Sequence, residues 1–114
     1  MRYLITGSRA TIKEELVREA LAELNDKDTV SITGSSPAED IAARLACETR
    51  AKLVHKQLDN LLHGTNSRIF TISKLLQETD CLVMFYKRKD QELSEMISKA
   101  DELGVEVKEF IIYD

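Results

Sequence analysis

The chain has 114 residues, enough for one domain that buries a modest hydrophobic core without help from disulfides. Hydrophobic residues make up 43% and charged residues 32% of the sequence, as in soluble globular proteins. The formal net charge of −4 argues against binding to the backbone of a nucleic acid, because phosphate contacts need clustered Lys and Arg. The short basic run Lys87-Arg88-Lys89 is more typical of a solvated turn.

The cysteines and the amino-terminal segment predict a cytoplasmic protein. Cys47 and Cys81 sit in apolar segments far apart in the chain, and neither has a metal-ligand partner at usable spacing. We therefore expect two reduced, buried thiols, no metal site and no cofactor. The apolar stretch within residues 1–7 is too short for a signal peptide, and no apolar run approaches the ~18 residues of a membrane span. We expect no membrane partner.

The first half of the chain alternates strands with helices. Residues 2–6 predict a buried strand closed by Gly7, and the segment Thr11-Ile12-Lys13-Glu14 predicts a capping box in which Thr11 accepts and Glu14 reaches back. Apolar residues then continue at helical spacing as far as Leu24. Residues 29–33 predict a second strand, closed by Gly34.

A second capping box follows at Ser36-Pro37-Ala38-Glu39, with Pro37 at the first helical position, where its missing N–H costs nothing. Its helix carries a stripe of apolar and small residues, namely Ile41, Ala42, Leu45 and Ala46. Residues 52–55 predict the third strand.

The second half continues the alternation. Leu58, Leu61 and Leu62 predict a short helix that stops at His63-Gly64, and Asn66 or Ser67 is the expected cap of the next helix. Residues 80–86 predict a central strand, Asp90 opens a helix that Gly104 ends, and residues 105–112 predict the last strand.

Five strands alternating with helices predict an α/β protein, a three-layer Rossmann-like domain spanning residues 1–114. Its five-stranded, mainly parallel sheet has helices on both faces. Because crossover connections are right-handed, the expected strand order is 3-2-1-4-5.

In such a sheet, ligands bind beyond the carboxyl ends of the strands, near the point where strand order reverses. Three loops gather there, covering residues 7–10, 34–37 and 86–89. The first two share a glycine, hydroxyl side chains and a following helix N-terminus, which together suit a phosphate or carboxylate, and Arg9 could grip an anion with two hydrogen bonds. The ligand-binding candidates are Gly7, Ser8, Arg9, Gly34, Ser35 and Ser36. Neither G-x-G-x-x-G nor a Walker motif is present, so a standard dinucleotide or P-loop site is not expected.

Two carboxylates are weak catalytic candidates. Glu39 and Asp40 lie in the first helical turn after the loop at residues 34–37, the Gly34 loop. There they either interact favourably with the helix dipole, or one of them binds a ribose hydroxyl or acts as a base. We expect Asp80 to be a turn residue. His55 and His63 lack partners at motif spacing, so neither predicts a catalyst or a metal ligand.

Taken together, these loops resemble the SLOG superfamily, which includes the DNA-processing protein DprA and the lonely-guy phosphoribohydrolases, and is found in bacteria and their phages. The resemblance is to small stand-alone members and spans most of the chain, through short motifs. These are Gly7-Ser8-Arg9, the segment from Thr33 to Asp40 with Ala42 and Ala43, His63-Gly64, the strand from Asp80 to Phe85, and the ending from Ala100 to Val107.

The chain departs from the superfamily pattern where the resemblance implies nucleotide contacts. Where the superfamily has an Arg-Asn pair, this chain has Thr71-Ile72. Two glycines of the superfamily's loop are replaced by Ser35 and Ala38, and its Gly-Thr step aligns near Glu92-Leu93. Arg68 replaces the missing arginine only if the alignment slips by a helical turn.

Three functions stay open, in this order. The first is binding of a nucleotide or nucleotide-derived small molecule without standard catalysis. The second is a degenerate structural or protein-interaction subunit, since the small residues Ala42 and Ala46 also suit packing in a homodimer. The third is an enzyme that hydrolyses an N-glycosidic bond of a nucleotide, with Asp40 or Glu39 as the acidic group and Arg9 on the phosphate.

Overall fold

A computed structural model of the chain describes residues 1–8, 12–34, 36–56, 67–88 and 90–112, with the backbone alone for residues 67–70. Within these ranges five strands form one sheet in the order β3-β2-β1-β4-β5, and every neighbouring pair is parallel. The predicted fold class and strand order are confirmed. The elements are β1 (Arg2–Gly7), α1 (Glu14–Ala20), β2 (Thr29–Ile32), α2 (Pro37–Thr49), β3 (Lys52–His55), α3 (Ser67–Leu76), β4 (Cys81–Tyr86), α4 (Gln91–Glu102) and β5 (Glu106–Ile111).

The sheet separates two hydrophobic cores. The central strand β4 is apolar at every position from Cys81 to Phe85, as expected for a parallel strand that is covered on both faces. Its side chains alternate, so Val83 and Phe85 join the core beneath α1 and α2, while Leu82 and Met84 join the core beneath α3 and α4. The helices therefore form the two outer layers of a three-layer structure.

Helix α1 does not begin at the first predicted capping box. Helix α1 begins at Glu14, its N-cap is Lys13, and the Lys13 side chain makes no capping hydrogen bond. Ile12, expected on the helix stripe, is instead buried in the core ahead of the helix. Thr11 lies outside the described residues. The helix also ends at Ala20, earlier than the apolar spacing suggested, and the chain continues in turns through Leu24.

The other predicted helix ends agree with the structure. Ser36 is the N-cap of α2 and Pro37 follows at the first helical position. Asp90 caps α4, and its carboxylate accepts a hydrogen bond from the backbone N–H of Leu93 at 2.8 Å. Gly104 follows the end of α4 with a φ of +72°, a conformation that favours glycine.

Ion pairs on the surface join the first two helices. The Arg18 guanidinium lies 2.8 Å from a Glu14 carboxylate oxygen and 3.0 Å from one of Glu48. Arg44 contacts Glu14 at 3.2 Å from the neighbouring helix. The hydrogen bond from Arg18, followed by its charge, lowers the pKa of Glu14. These contacts tie the short helix α1 to the longer α2.

The two thiols differ in environment. Cys81 is completely buried in β4, and burial raises the pKa of its thiol above the ordinary value of 9.0. Cys47 is exposed on α2, so the expectation of two buried thiols was wrong for this residue. The apolar neighbours of Cys47 in the sequence lie on the buried side of α2, and Cys47 lies on its outer side.

The short helix predicted at Leu58, Leu61 and Leu62 and its stop at His63-Gly64 lie outside the described residues, as does Asn66. Ser67, the other expected cap, is instead the first residue of helix α3. None of the helices that the structure describes is long and apolar enough to cross a membrane.

Candidate functional site

The end of β1 lies in close contact with the end of β4. Gly7 pairs with Phe85 in the sheet register, and the backbone N–H of Ser8 donates a hydrogen bond to the Phe85 carbonyl oxygen at 2.8 Å. A Cβ added to Gly7 would lie only 2.7 Å from that same oxygen. Glycine is therefore required at position 7 by backbone packing, whether or not a ligand binds.

The first turn of α2 packs against the same glycine. The Ala38 Cβ lies 3.4 Å from the point where a Gly7 Cβ would be, and Ala38 is 2% exposed. This contact brings the N-terminus of α2, and the Gly34 loop that precedes it, beside the end of β1. The structure thus places two of the three loops singled out from the sequence side by side, at the carboxyl edge of the sheet.

Glu39 lies inside this arrangement as a fully buried carboxylate. One of its oxygens accepts hydrogen bonds from the Thr33 N–H at 2.7 Å and from the Thr33 hydroxyl at 2.9 Å. The other accepts one from the Ser36 hydroxyl at 2.7 Å. Because Thr33 lies just before the Gly34 loop and Ser36 lies within it, Glu39 ties both of these residues to the first turn of α2. Of the two carboxylate candidates, Asp40 is the exposed one.

The second capping box therefore differs in detail from the prediction. Ser36 donates its hydroxyl proton to Glu39, and its side chain does not cap a backbone N–H. Besides this bond to the N-cap side chain, the Glu39 carboxylate reaches three residues further back, to Thr33. Sequence spacing identified the members of the box but not this longer reach.

Ser8 offers a polar group to the site. Its hydroxyl oxygen is buried and has no hydrogen-bond partner among the described residues. A buried hydroxyl without a hydrogen-bond partner is less stable than one in water, so such groups are rare in folded proteins and are often found at functional sites. Of the other ligand-binding candidates, Gly34 has a φ of +75° and the Ser36 hydroxyl already binds Glu39, while Arg9 and Ser35 lie outside the described residues.

His55 also lies at this edge, which the sequence did not predict. It ends β3, where it pairs with Ile32 in the register, and its Nε2 lies 2.8 Å from the point where a Gly34 Cβ would be. The side chain of this exposed residue packs against the Gly34 loop. The available signal was topological: β3 neighbours β2, so the last residue of β3 must lie beside the loop after β2.

The third loop begins with Tyr86, whose hydroxyl donates a hydrogen bond to Glu109 on β5 at 2.9 Å. Lys87 and Arg88 are exposed, and Lys89 lies outside the described residues. The Ile112 N–H donates to the Tyr86 carbonyl oxygen at 2.8 Å, so β5 continues to pair beside this loop.

Three residues at which the chain departs from the superfamily pattern, Thr71, Ile72 and Leu93, are buried. Thr71 and Ile72 are 5% and 1% exposed on α3, and Ile72 packs in the core with Leu93, so none of these side chains is presented to solvent. The side chain of Arg68 lies outside the described part.

Asp80 lies at the opposite end of the sheet, where its carboxylate accepts a hydrogen bond from the Arg2 N–H at 2.8 Å.

A cavity of about 270 Å³ lies away from these loops. It opens between the end of α1 and the sheet and is lined by Tyr3, Glu19, Glu23, Val83 and Lys108, among others. Burial, followed by the charge of nearby Asp28, raises the pKa of Tyr3 above its ordinary value of 10.0. In the described ranges no group of three or more His, Cys, Asp or Glu side chains could hold a metal ion.

Comparison of the chain with protein-family models, with curated proteins and with solved structures finds no match.

Proposed function

We propose that the chain binds a nucleotide or a nucleotide-derived ligand at the loops after β1 and β2, without standard catalysis. The observation that carries the proposal is the Ser8 hydroxyl oxygen, which is buried at the end of β1, where the N-terminus of α2 packs against Gly7, and has no hydrogen-bond partner in the described part of the chain. An oxygen of a bound phosphate would supply the missing hydrogen-bond acceptor.

The neighbouring helix provides the attraction for an anion. Helix α2 runs for 13 residues, and its first backbone N–H groups and its dipole favour negative charge at its N-terminus. Thr33 and Ser36, which precede this helix on either side of residues 34 and 35, are held by Glu39, so this part of the site is in place before a ligand binds. Preorganisation of this kind lowers the entropic cost of binding.

Two observations favour binding over turnover. The Glu39 carboxylate is buried and bound to Thr33 and Ser36, which leaves Asp40 as the exposed carboxylate beside the loop. The residues that fall on the superfamily's nucleotide contacts, Thr71 and Ile72, are buried on α3. The proposal thus treats the chain as a divergent, ligand-binding member of the SLOG superfamily.

The test measures thermal stability with and without AMP, ADP-ribose or inorganic phosphate. A ligand that binds the folded state stabilises it by about 2.7 kcal/mol when its free concentration is about 100 times Kd. The test variant is Ser8→Ala, with Ser94→Ala as its control, because Ser94 is exposed on α4. Arg9→Gln provides a second test, with Arg50→Gln removing an equal charge at the far end of α2.

Ser8→Ala separates a ligand role from a structural one. Removal of a buried hydroxyl without a partner should leave the free protein as stable as the wild type or more so, while the ligand-induced shift becomes smaller. No shift in the wild type with any of the three ligands would overturn the proposal. Light scattering that shows a dimer without ligand response would favour a structural subunit. Release of adenine from AMP, lost in Asp40→Asn, would favour the hydrolase.

A further inference from the structure

His55 occupies a place that the proposed phosphate contact does not use. It ends β3, two strands away from β1, at the same carboxyl edge of the sheet as Ser8 and Gly34. Two inter-strand spacings amount to about 10 Å. This separation is comparable with the distance from the phosphate to the base of a nucleotide that lies along the edge.

We propose that His55 contacts the base of the ligand, so that the site takes a nucleoside phosphate in preference to a sugar phosphate. This inference rests on the proposed function and extends it to the part of the ligand farthest from Ser8. The phosphate lies by Ser8 and the N-terminus of α2, the sugar crosses the Gly34 loop, and the base reaches β3.

The backbone holds His55 at a fixed position. The residue pairs with Ile32, and the N–H of Lys56, the next residue, donates a hydrogen bond to the Ile32 carbonyl oxygen at 2.9 Å. The imidazole itself contacts the Gly34 loop, with Nε2 and Cε1 at 2.8 and 3.3 Å from the point where a Gly34 Cβ would be. A side chain larger than hydrogen at position 34 would therefore displace the ring.

The imidazole is available to a ligand on chemical grounds as well. His55 is exposed, and no hydrogen bond or ion pair joins it to another residue in the described part of the chain. A neutral imidazole offers one donor and one acceptor, and its flat ring can stack on a base. By contrast, the neighbouring hydroxyls of Thr33 and Ser36 are bound to Glu39.

The test compares binding of AMP and ribose 5-phosphate by isothermal titration calorimetry, because the two ligands share the phosphate and ribose and differ in the base. We expect the wild type to bind AMP roughly tenfold more tightly, the lower range for stacking of one base on an aromatic side chain. In His55→Ala this preference should disappear while the affinity for ribose 5-phosphate stays unchanged. His55→Phe, which keeps a flat ring, should retain most of the preference.

The matched control is Lys52→Ala, which alters an exposed residue at the other end of β3 and should leave both affinities unchanged. Equal binding of the two ligands by the wild type, or an unchanged preference in His55→Ala, would overturn the inference and leave the proposed function standing. An equal loss of both affinities in His55→Ala would also overturn it, because the residue would then act only through the Gly34 loop. If neither ligand binds the wild type, both proposals fail.

Discussion

The Glu39 carboxylate accepts hydrogen bonds from both the backbone N–H and the hydroxyl of Thr33, at 2.7 and 2.9 Å, although the two residues are six positions apart in the chain. The contact joins the first turn of α2 to the residue that follows β2. Because the carboxylate is fully buried, removal of it would leave its donors without an acceptor and without water.

We therefore expect Glu39→Ala to lower the free energy of unfolding by about 3 kcal/mol, because several buried donors lose a charged acceptor. Glu39→Gln should cost less, about 1 kcal/mol, because its amide oxygen can still accept from Thr33. Equilibrium denaturation with urea measures both. Glu95→Ala, at an exposed position on α4, is the control, and equal stabilities for Glu39→Ala and Glu95→Ala would contradict the anchoring role.

Gly7→Ala should destabilise the protein by about 1–3 kcal/mol, the usual cost of forcing extra atoms into a packed region. The added Cβ would lie 2.7 Å from the Phe85 carbonyl oxygen, a backbone atom that cannot move away without disturbing β4. Denaturant unfolding measures the loss. A Gly7→Ala protein as stable as the wild type would show that the ends of β1 and β4 are farther apart than described.

Gly34 and Gly104 form a natural comparison, because both have a positive φ but only Gly34 meets another side chain. Substitution by alanine adds backbone strain of about 1 kcal/mol at either position. Gly34→Ala carries the extra cost of displacing His55, so it should be the more destabilising of the two. A double-mutant cycle with His55→Ala should remove that excess, and additive effects would argue against the contact.

The two cysteines should react with a thiol reagent at very different rates. Cys47 is exposed on α2, whereas Cys81 is buried and its pKa is raised by burial, which disfavours the reactive thiolate. We expect one thiol to react quickly in the native protein and the second only on addition of denaturant. Cys47→Ser should abolish the fast reaction. Rapid labelling of both thiols in the native state would contradict the burial of β4.

The raised pKa of Tyr3 predicts that the protein loses stability at alkaline pH. Burial raises the pKa of its phenol in the folded state above the ordinary value of 10.0, so the unfolded chain ionises first. The stabilisation is fully present below about pH 10 and is lost as the pH rises through the folded pKa. Urea unfolding at increasing pH measures it. Tyr3→Phe should show a shallower alkaline loss than the wild type, and parallel curves would contradict this origin.

The sequence was sufficient for the architecture because the fold depends on local patterns. Buried strands that are followed by glycine turns alternate with amphipathic helices. Because crossover connections are right-handed, this alternation favours the observed strand order. Helix boundaries were harder to predict. Ile12 has the spacing of a helical residue, but it is buried in the core ahead of the helix, and periodicity alone does not distinguish these two environments.

The candidate site was predictable only in part. Gly7 and Ser8 could be placed at the sheet edge from topology, whereas the long reach of Glu39 to Thr33 depends on how α2 packs over the sheet. The sequence does not predict a functional role for His55, because this residue has no partner at motif spacing. Its contact with Gly34 arises between neighbouring strands, and spacing along one chain segment carries no information about such a contact.

The alternation of β4 between the two cores has a consequence for folding. Val83 and Phe85 pack under one pair of helices, and Leu82 and Met84 pack under the other, on one continuous backbone. Neither helical layer can separate from the sheet without exposing side chains of the same strand. We therefore expect the described layers to unfold as one cooperative unit, so that damage to either core lowers the stability of both.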